Sequence, residues 1–256
     1  MGIVDTTREH KAEIRARARR VMAVFIVGVL IVSSLYIYNY ATTSDRFAIK
    51  RVELAGLSRI PEADVTRLVS DLEGTNILLA PLDEVEARLE AHPRISHAVA
   101  RRVLPNRITW TVTEREPVAL VFTDRYFEID ASGMVMPGDA YTALLDLPTI
   151  TGVPAADVRP GVVCANPMVT GALEALDVCR SWGGEFAQDI SELRATNTGL
   201  SIRSLREDCV LLVGDVDFEK RLRKFFLLRE ELSQRESPSR LIDLRFDNQV
   251  VLRSGI

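Results

Sequence analysis

A chain of 256 residues with 47% hydrophobic and 27% charged residues has the composition of an ordinary globular protein and room for one large or two modest domains. The net charge of -4 hides an asymmetry: residues 1–40 hold six basic residues (Arg8, Lys11, Arg15, Arg17, Arg19, Arg20) against three acidic ones, and the rest carries a balance of -7. A mildly acidic body gives no reason to expect nucleic acid as a partner. The three cysteines, Cys164, Cys179 and Cys209, cannot all pair within one chain and form no Cys-x-x-Cys. They read as small buried apolar residues, with a Cys164–Cys179 bridge as the alternative in an oxidising compartment.

Residues 1–20 are polar and alternate Ala with Arg. Residues 21–40, VMAVFIVGVLIVSSLYIYNY, carry no charge and are long enough to cross a hydrocarbon core of about 30 Å. Val21 and Tyr40 bound this anchor, and Tyr36, Tyr38 and Tyr40 cluster where amphipathic rings favour the lipid–water interface. Arg15, Arg17, Arg19 and Arg20 precede it, which predicts a cytoplasmic N-terminus and an exterior body from residue 41. A cleaved signal peptide would need a shorter apolar core and a small-x-small cleavage site, whereas Tyr38, Asn39 and Tyr40 precede Ala41. The expectation is a single-pass protein.

Residues 46–116 are expected to form one unit of order β-α-α-β-β. Phe47 to Leu54 is strand-like and ends at Gly56. Pro61 opens a helix with Val65, Leu68, Val69 and Leu72 on one face, and Gly74 stops it. A second helix over 81–91 places Leu82, Val85 and Leu89 together, and Pro93 prevents its continuation. Strands over 96–104 and 107–114 meet at Pro105-Asn106. In the latter, Ile108, Trp110 and Val112 alternate with Arg107, Thr109, Thr111 and Thr113, as in a sheet with one buried and one wet face.

Residues 117–256 read as a second, mainly antiparallel β domain with two packed helices, so the fold class is α+β. Apolar runs at 118–122, 126–129 and 134–136 suit a β-meander, and 147–152 is extended. A helix from Pro167 carries Leu173, Leu176, Cys179 and Trp182 inward. Strands follow near 192–196, 200–205 and 209–213. A helix over 217–233 has Phe218, Leu222, Phe225, Phe226 and Leu232 on its apolar side, with Lys220, Arg221, Arg223 and Lys224 on a solvated face. The chain closes on two strands, the first alternating over 241–247 and the second spanning Gln249, Val250, Val251, Leu252 and Arg253, with a tight turn at Asp247-Asn248. A closing hairpin of this kind often leaves an edge strand with free backbone groups.

Nothing in the pattern points to catalysis. His10, His92 and His97 lack metal-ligand spacing, and there is no Gly-rich phosphate loop or G-x-S-x-G elbow. Asp83, Glu84 and Glu86 sit at a helix start, where acidic groups favour the macrodipole. Gly183-Gly184-Glu185-Phe186 is one residue short of a diguanylate cyclase signature and reads as a Gly-Gly helix stop followed by a loop. No cofactor, metal or small-molecule substrate is expected.

Several stretches, in order, resemble one family. FAIKRVELAGLSRIPEADV and NILLAPLDEVEARLEAHPRI are similar to the opening elements of a POTRA domain. HPRISHAVARRVLPNRITWTVTEREPVAL, with its Glu114-Arg115-Glu116-Pro117 junction, resembles the last POTRA hairpin of FtsQ/DivIB proteins. FEIDASGMVMP, LPTITG, VGDVDFEKRLRKFFLL and LIDLRFDNQVVLR are similar to successive parts of the domain that comes next there. Phe246 and Gln249 stand where the closing motif of the family usually has Tyr and a nearby Gly.

The resemblance implies a bitopic, non-enzymatic divisome scaffold in the cytoplasmic membrane at the division septum, linking FtsB- and FtsL-like division proteins. By carry-over, the docking edge is formed by the last strands, with Arg245, Phe246, Gln249, Val250, Val251 and Leu252 as candidate partner-binding residues. An exposed strand accepts another by main-chain hydrogen bonds. Arg245 has the geometry for a forked pair with a partner carboxylate, or is a solvated strand residue. Phe246 is an aromatic anchor or a core residue. The alternative function is a POTRA-containing factor for membrane-protein insertion or secretion, whose usual β-barrel does not fit in residues 117–256 beside two long helices.

Overall fold

The computed structural model describes residues 4–139, 142–233, 239–247 and 249–254. Its contacts divide the chain into two compact units. The first comprises Met1–Leu57, Pro61–Ala87 and Ala98–Val112; the second comprises Ser58–Ile60, Arg88–His97 and Thr113–Ile256.

The first unit begins with a continuous helix, α1 (Val4–Thr43). Its segment Arg17–Thr43 is the one helix among the described residues long and apolar enough to cross a membrane, and its apolar stretch is unburied. The helix therefore overshoots the expected anchor at both ends, because nothing in its flanks breaks helical geometry until Ser44. There the Ser44 hydroxyl accepts the Arg46 N–H at 3.3 Å and starts a 3-10 turn, Asp45–Phe47. That turn is why the first strand, β1 (Arg51–Ala55), starts later than the strand expected from Phe47.

Next come α2 (Glu62–Val69), a 3-10 turn, α3 (Leu82–Glu90), β2 (Ile95–Val103) and β3 (Arg107–Glu114). The sheet order is β1-β3-β2, with β1 parallel to β3 and Val52 opposite Ile108, Leu54 opposite Trp110. The predicted alternation appears as burial: Ile108, Trp110 and Val112 are inside, as are Val65, Val69 and Leu72 from the first helix and Leu82 and Val85 from the second. Period-two and period-3.6 patterns thus meet in one small core, as the β-α-α-β-β reading requires.

In the second unit, strands β4 (Pro117–Phe122), β5 (Tyr126–Asp130), β6 (Val135–Met136) and β7 (Thr149–Thr151) precede helices α4 (Pro167–Gly183) and α5 (Glu185–Gln188). Then come β8 (Ile190–Thr196), β9 (Gly199–Ser204), β10 (Cys209–Gly214), α6 (Phe218–Ser233), β11 (Ser239–Asp243) and β12 (Val251–Ser254). Among the described residues, β4 to β12 form one nine-stranded sheet in the order β12-β11-β10-β9-β8-β7-β4-β5-β6. Most pairings are antiparallel, but β7 is parallel to both β4 and β8, and β11 is parallel to β10. Such parallel neighbours need crossover connections: α4 lies in that between β7 and β8, α6 in that between β10 and β11, and β5 and β6 lie between β4 and β7.

Helices α4 and α6 pack on each other, α4 also on β8 and β9, α6 on β10. Leu176, Cys179, Phe186, Phe218, Leu222 and Phe225 are buried there with Leu193, Ile202, Leu211 and Val213 from the sheet. Phe186, Phe225 and Phe226 form a ring cluster with centroids 5.2–5.6 Å apart. Trp182, expected inward, is instead 47% exposed, with the Arg223 guanidinium 4.6 Å from its ring centroid. It lies at the end of α4, past the stripe that faces the sheet. The Gly183-Gly184 stop does end α4, but the one-turn helix α5 succeeds it rather than a loop. All three cysteines are buried and none is in a disulfide; burial pushes the Cys179 thiol up to about 12.

Candidate functional site

The terminal part of the sheet is built by one crossover. From β10 the chain enters α6, returns along β11 parallel to β10 with Leu211 opposite Ile242, and turns back as β12. Ile242 and Leu244 are buried in the same core as Phe218, Leu222 and Phe225 of α6. The Leu244 N–H donates to the Leu212 carbonyl at 2.9 Å, so the ladder with β10 reaches one step past β11. A one-residue shift would turn the apolar set outward, and the buried Ile242 and Leu244 hold this register against it.

Two sets of polar contacts fix the turn between β11 and β12. Asp243 is fully buried, and its carboxylate receives the forked guanidinium of Arg245 at 2.8 and 2.6 Å, with the Arg245 N–H at 3.2 Å. The Arg245 hydrogen bonds hold the Asp243 carboxyl below its ordinary range despite burial, and Asp243 raises Arg245 in return. On the other side, Lys224 of α6 donates to the Phe246 and Asp247 carbonyls, and Lys220 lies 3.3 Å from the Asp247 carboxylate. These two lysines, expected on a merely solvated face, tie the turn to the helix. Residue-pair spacing could not show this, because the partners lie more than twenty positions away.

The candidate residues therefore separate. Arg245 is committed to Asp243 and is not an idle strand cation. The first closing strand stops at Asp243 because Arg245 folds back on it, so the predicted alternation to residue 247 fails. Phe246 is 42% exposed and is not core. Gln249 and Val250 precede the strand, which begins at Val251, and Asn248 of the expected tight turn lies outside the described residues. Val250 and Leu252 pack part-buried against the core, while Arg253 is exposed. Asp243 pairs with Val251, Ile242 with Leu252 and Leu241 with Arg253. Strand β12 ends the sheet order, so its outer side has no hydrogen-bonded strand among the described residues.

The opposite edge differs. Strand β6 is two residues long, and the loop after it covers it: Val135 donates to the Val162 carbonyl at 3.2 Å and accepts from Gly161 at 2.8 Å. Short, covered edges resist strand addition.

Near that edge lie three carboxylates whose roles the sequence did not reveal. Glu128 is fully buried and accepts from Arg94 (2.8 and 3.2 Å), Arg59 (2.9 Å) and Thr142 (2.8 Å). Burial pushes its carboxyl up, but these bonds more than offset it and the result is a lowered value. Asp130 accepts from the Ser132 and Met134 N–H groups at 2.9 Å and from Arg115 at 2.8 Å, shaping a turn in which Gly133 adopts φ 84°. Glu114 gathers the N–H groups of Ser58, Arg59 and Ile60 at 2.7–3.1 Å. Glu114 lies at the Glu-Arg-Glu-Pro junction and Asp130 in the acidic-then-Gly hairpin, so a local signal existed for both. Glu128 had none, since its arginines lie 34 and 69 positions away.

Among the described residues no group of three or more His, Cys, Asp or Glu could hold a metal ion. His97 sits 2.6 Å from Glu90, and His92 accepts the Arg94 N–H at 3.3 Å.

Comparison with known proteins agrees with this architecture. Residues 47–115 match the family model "POTRA domain, FtsQ-type", and residues 119–245 match "Cell division protein FtsQ/DivIB, C-terminal". The latter match stops before Phe246 and β12. The chain is 27% identical over 233 residues to cell division protein FtsQ of Myxococcus fulvus, covering 89% of this chain and 80% of that protein. It is 26% identical over 233 residues to the FtsQ protein of Syntrophotalea carbinolica (91% and 83% covered) and 29% identical over 220 residues to that of an Anaeromyxobacter species (82% and 73% covered). With an apolar N-terminal helix, an FtsQ-type POTRA domain and the strand-rich C-terminal domain in that order, the chain belongs to the FtsQ/DivIB family of cell-division proteins.

Proposed function

We propose that this protein is a non-enzymatic divisome scaffold that holds partner division proteins by strand addition to β12. The observation that carries the reading is the outer side of β12, which ends a nine-stranded sheet with no hydrogen-bonded neighbour among the described residues. Unpaired N–H and C=O groups on such a strand template an incoming one, and alternate side chains confer specificity. Phe246, 42% exposed beside the turn, is available as an aromatic anchor. The incoming strand is that of an FtsB-like protein, with an FtsL-like protein as its companion. Val251 and Leu252 supply the ladder, and Gln249 and Val250 flank its start.

The basic residues before the span support a cytoplasmic N-terminus. On that reading residues 1–20 are cytoplasmic, 21–40 cross the inner membrane, and two exterior modules, 46–116 and 117–256, act at the septum.

The test uses paired proline variants of the full chain. Along an antiparallel strand successive N–H groups point alternately to the neighbour and away from it. Of Val251→Pro and Leu252→Pro, one removes an outward donor and the other a donor to β11. One variant should keep the wild-type melting temperature and lose capture of the exterior segments of FtsB- and FtsL-like proteins. If both variants fold and both still bind, strand addition at β12 is wrong.

A further inference from the structure

The end of the first unit that adjoins α1 carries a second surface. Asn76 donates its side-chain amide to the Ala41 and Thr42 carbonyls at 2.8 and 3.0 Å, capping the last turn of the apolar helix. Its own loop is fixed to the same place. Ile77 donates to the Phe47 carbonyl at 2.8 Å, Ile49 to the Thr75 carbonyl at 2.8 Å, and the Arg102 guanidinium holds the Ile77 and Ala80 carbonyls at 2.8 and 3.0 Å. Between those anchors Leu78 and Leu79 are 42% and 60% exposed.

The β2–β3 turn lies at the same end. Strands β1 and β3 are parallel, so the start of β3 lies beside the start of β1, and Lys50 donates to the Asn106 carbonyl at 2.9 Å. Leu104 in that turn is 60% exposed. Arg46, Lys50, Arg51 and Arg101 are exposed on the segments that build this end, as are the acidic Asp45, Glu73, Asp83 and Glu84.

A loop hydrogen-bonded to Ala41 and Thr42 sits at the depth where a helix leaves the hydrocarbon. A span of about 20 residues exhausts the core of about 30 Å, and the headgroup zone continues for several ångströms beyond. Large apolar side chains held there have a ready solvent, and neighbouring basic residues gain from anionic headgroups. We propose that this end of the first unit rests on the anionic lipid surface around α1, with Leu78 and Leu79 buried in the interface and Leu104 at its margin. The proposal rests on α1 crossing the membrane.

The test places single tryptophans in the full chain, in vesicles of phosphatidylglycerol and phosphatidylethanolamine with shallow- or deep-brominated acyl chains. The parent emission from Trp110 and Trp182 is subtracted. Leu79→Trp should be quenched by shallow bromine, whereas Ala55→Trp, at the far end of β1, should not. Adding Leu78→Glu to Leu79→Trp should abolish the quenching. Equal quenching at positions 79 and 55, with Leu30→Trp in the span still quenched by deep bromine, would overturn the proposal and leave the leucines to a protein partner or to water. An unquenched Leu30→Trp would overturn the spanning reading and this proposal with it. Unchanged far-UV circular dichroism identifies variants that have kept their fold.

Discussion

Replacing Glu128 with Gln tests the buried ionic network of the second unit. The carboxylate is fully buried and takes three guanidinium hydrogen bonds and one from Thr142. Gln keeps the shape, removes the charge, and turns one acceptor into an N–H₂ facing a donor. Breaking a buried pair costs about 3–5 kcal/mol when the remaining charge stays unpaired. Here Arg59 is 36% exposed and re-solvates, whereas Arg94 at 13% does so poorly, so a loss of about 2–4 kcal/mol is expected. For a unit of this size that is a fall in melting temperature of roughly 4–16 °C, read by intrinsic tryptophan emission of the full chain in detergent. The folded-state value of Glu128 is lowered, so its contribution is complete above the unfolded value of about 4.3 and is lost as pH falls through the folded value. Glu128→Gln should therefore lose less stability than the parent on acidification below about pH 5. A shift under about 2 °C together with an unchanged acid profile would refute the reasoning.

Other contacts carry their own expected outcomes. Asp243→Asn and Arg245→Ala should weaken partner capture to a similar extent, because both release the turn before β12; loss confined to Arg245→Ala would mean that its fork serves a partner carboxylate. Gly199 has φ 104°, and a Cβ there would meet the Gly214 backbone at 2.2 Å. Gly199→Ala should cost at least about 2 kcal/mol in urea unfolding, whereas Gly74→Ala, with open space around it, should cost about 1–2 kcal/mol from its left-handed conformation alone. The Cys179 thiol, raised to about 12, should resist maleimide at pH 8 in the native chain and react on unfolding, as counted by mass spectrometry.

Much of this fold was legible because its signals are local. An uncharged run of spanning length, a period-3.6 stripe at Val65, Val69 and Leu72, and the alternation through Ile108, Trp110 and Val112 each depend on residues a few positions apart. Side-chain direction repeats at fixed intervals in helices and strands, so such patterns survive reading from sequence alone. The tertiary structure decided what depends on distant partners. It set β11 parallel to β10, placed β12 rather than another strand at the open end, and gave Arg245 to Asp243 and Glu128 to Arg59 and Arg94. Strand order and buried ion pairs are settled by which remote segments meet in one core and by the desolvation each charge must offset there, and no window of neighbouring residues carries that information.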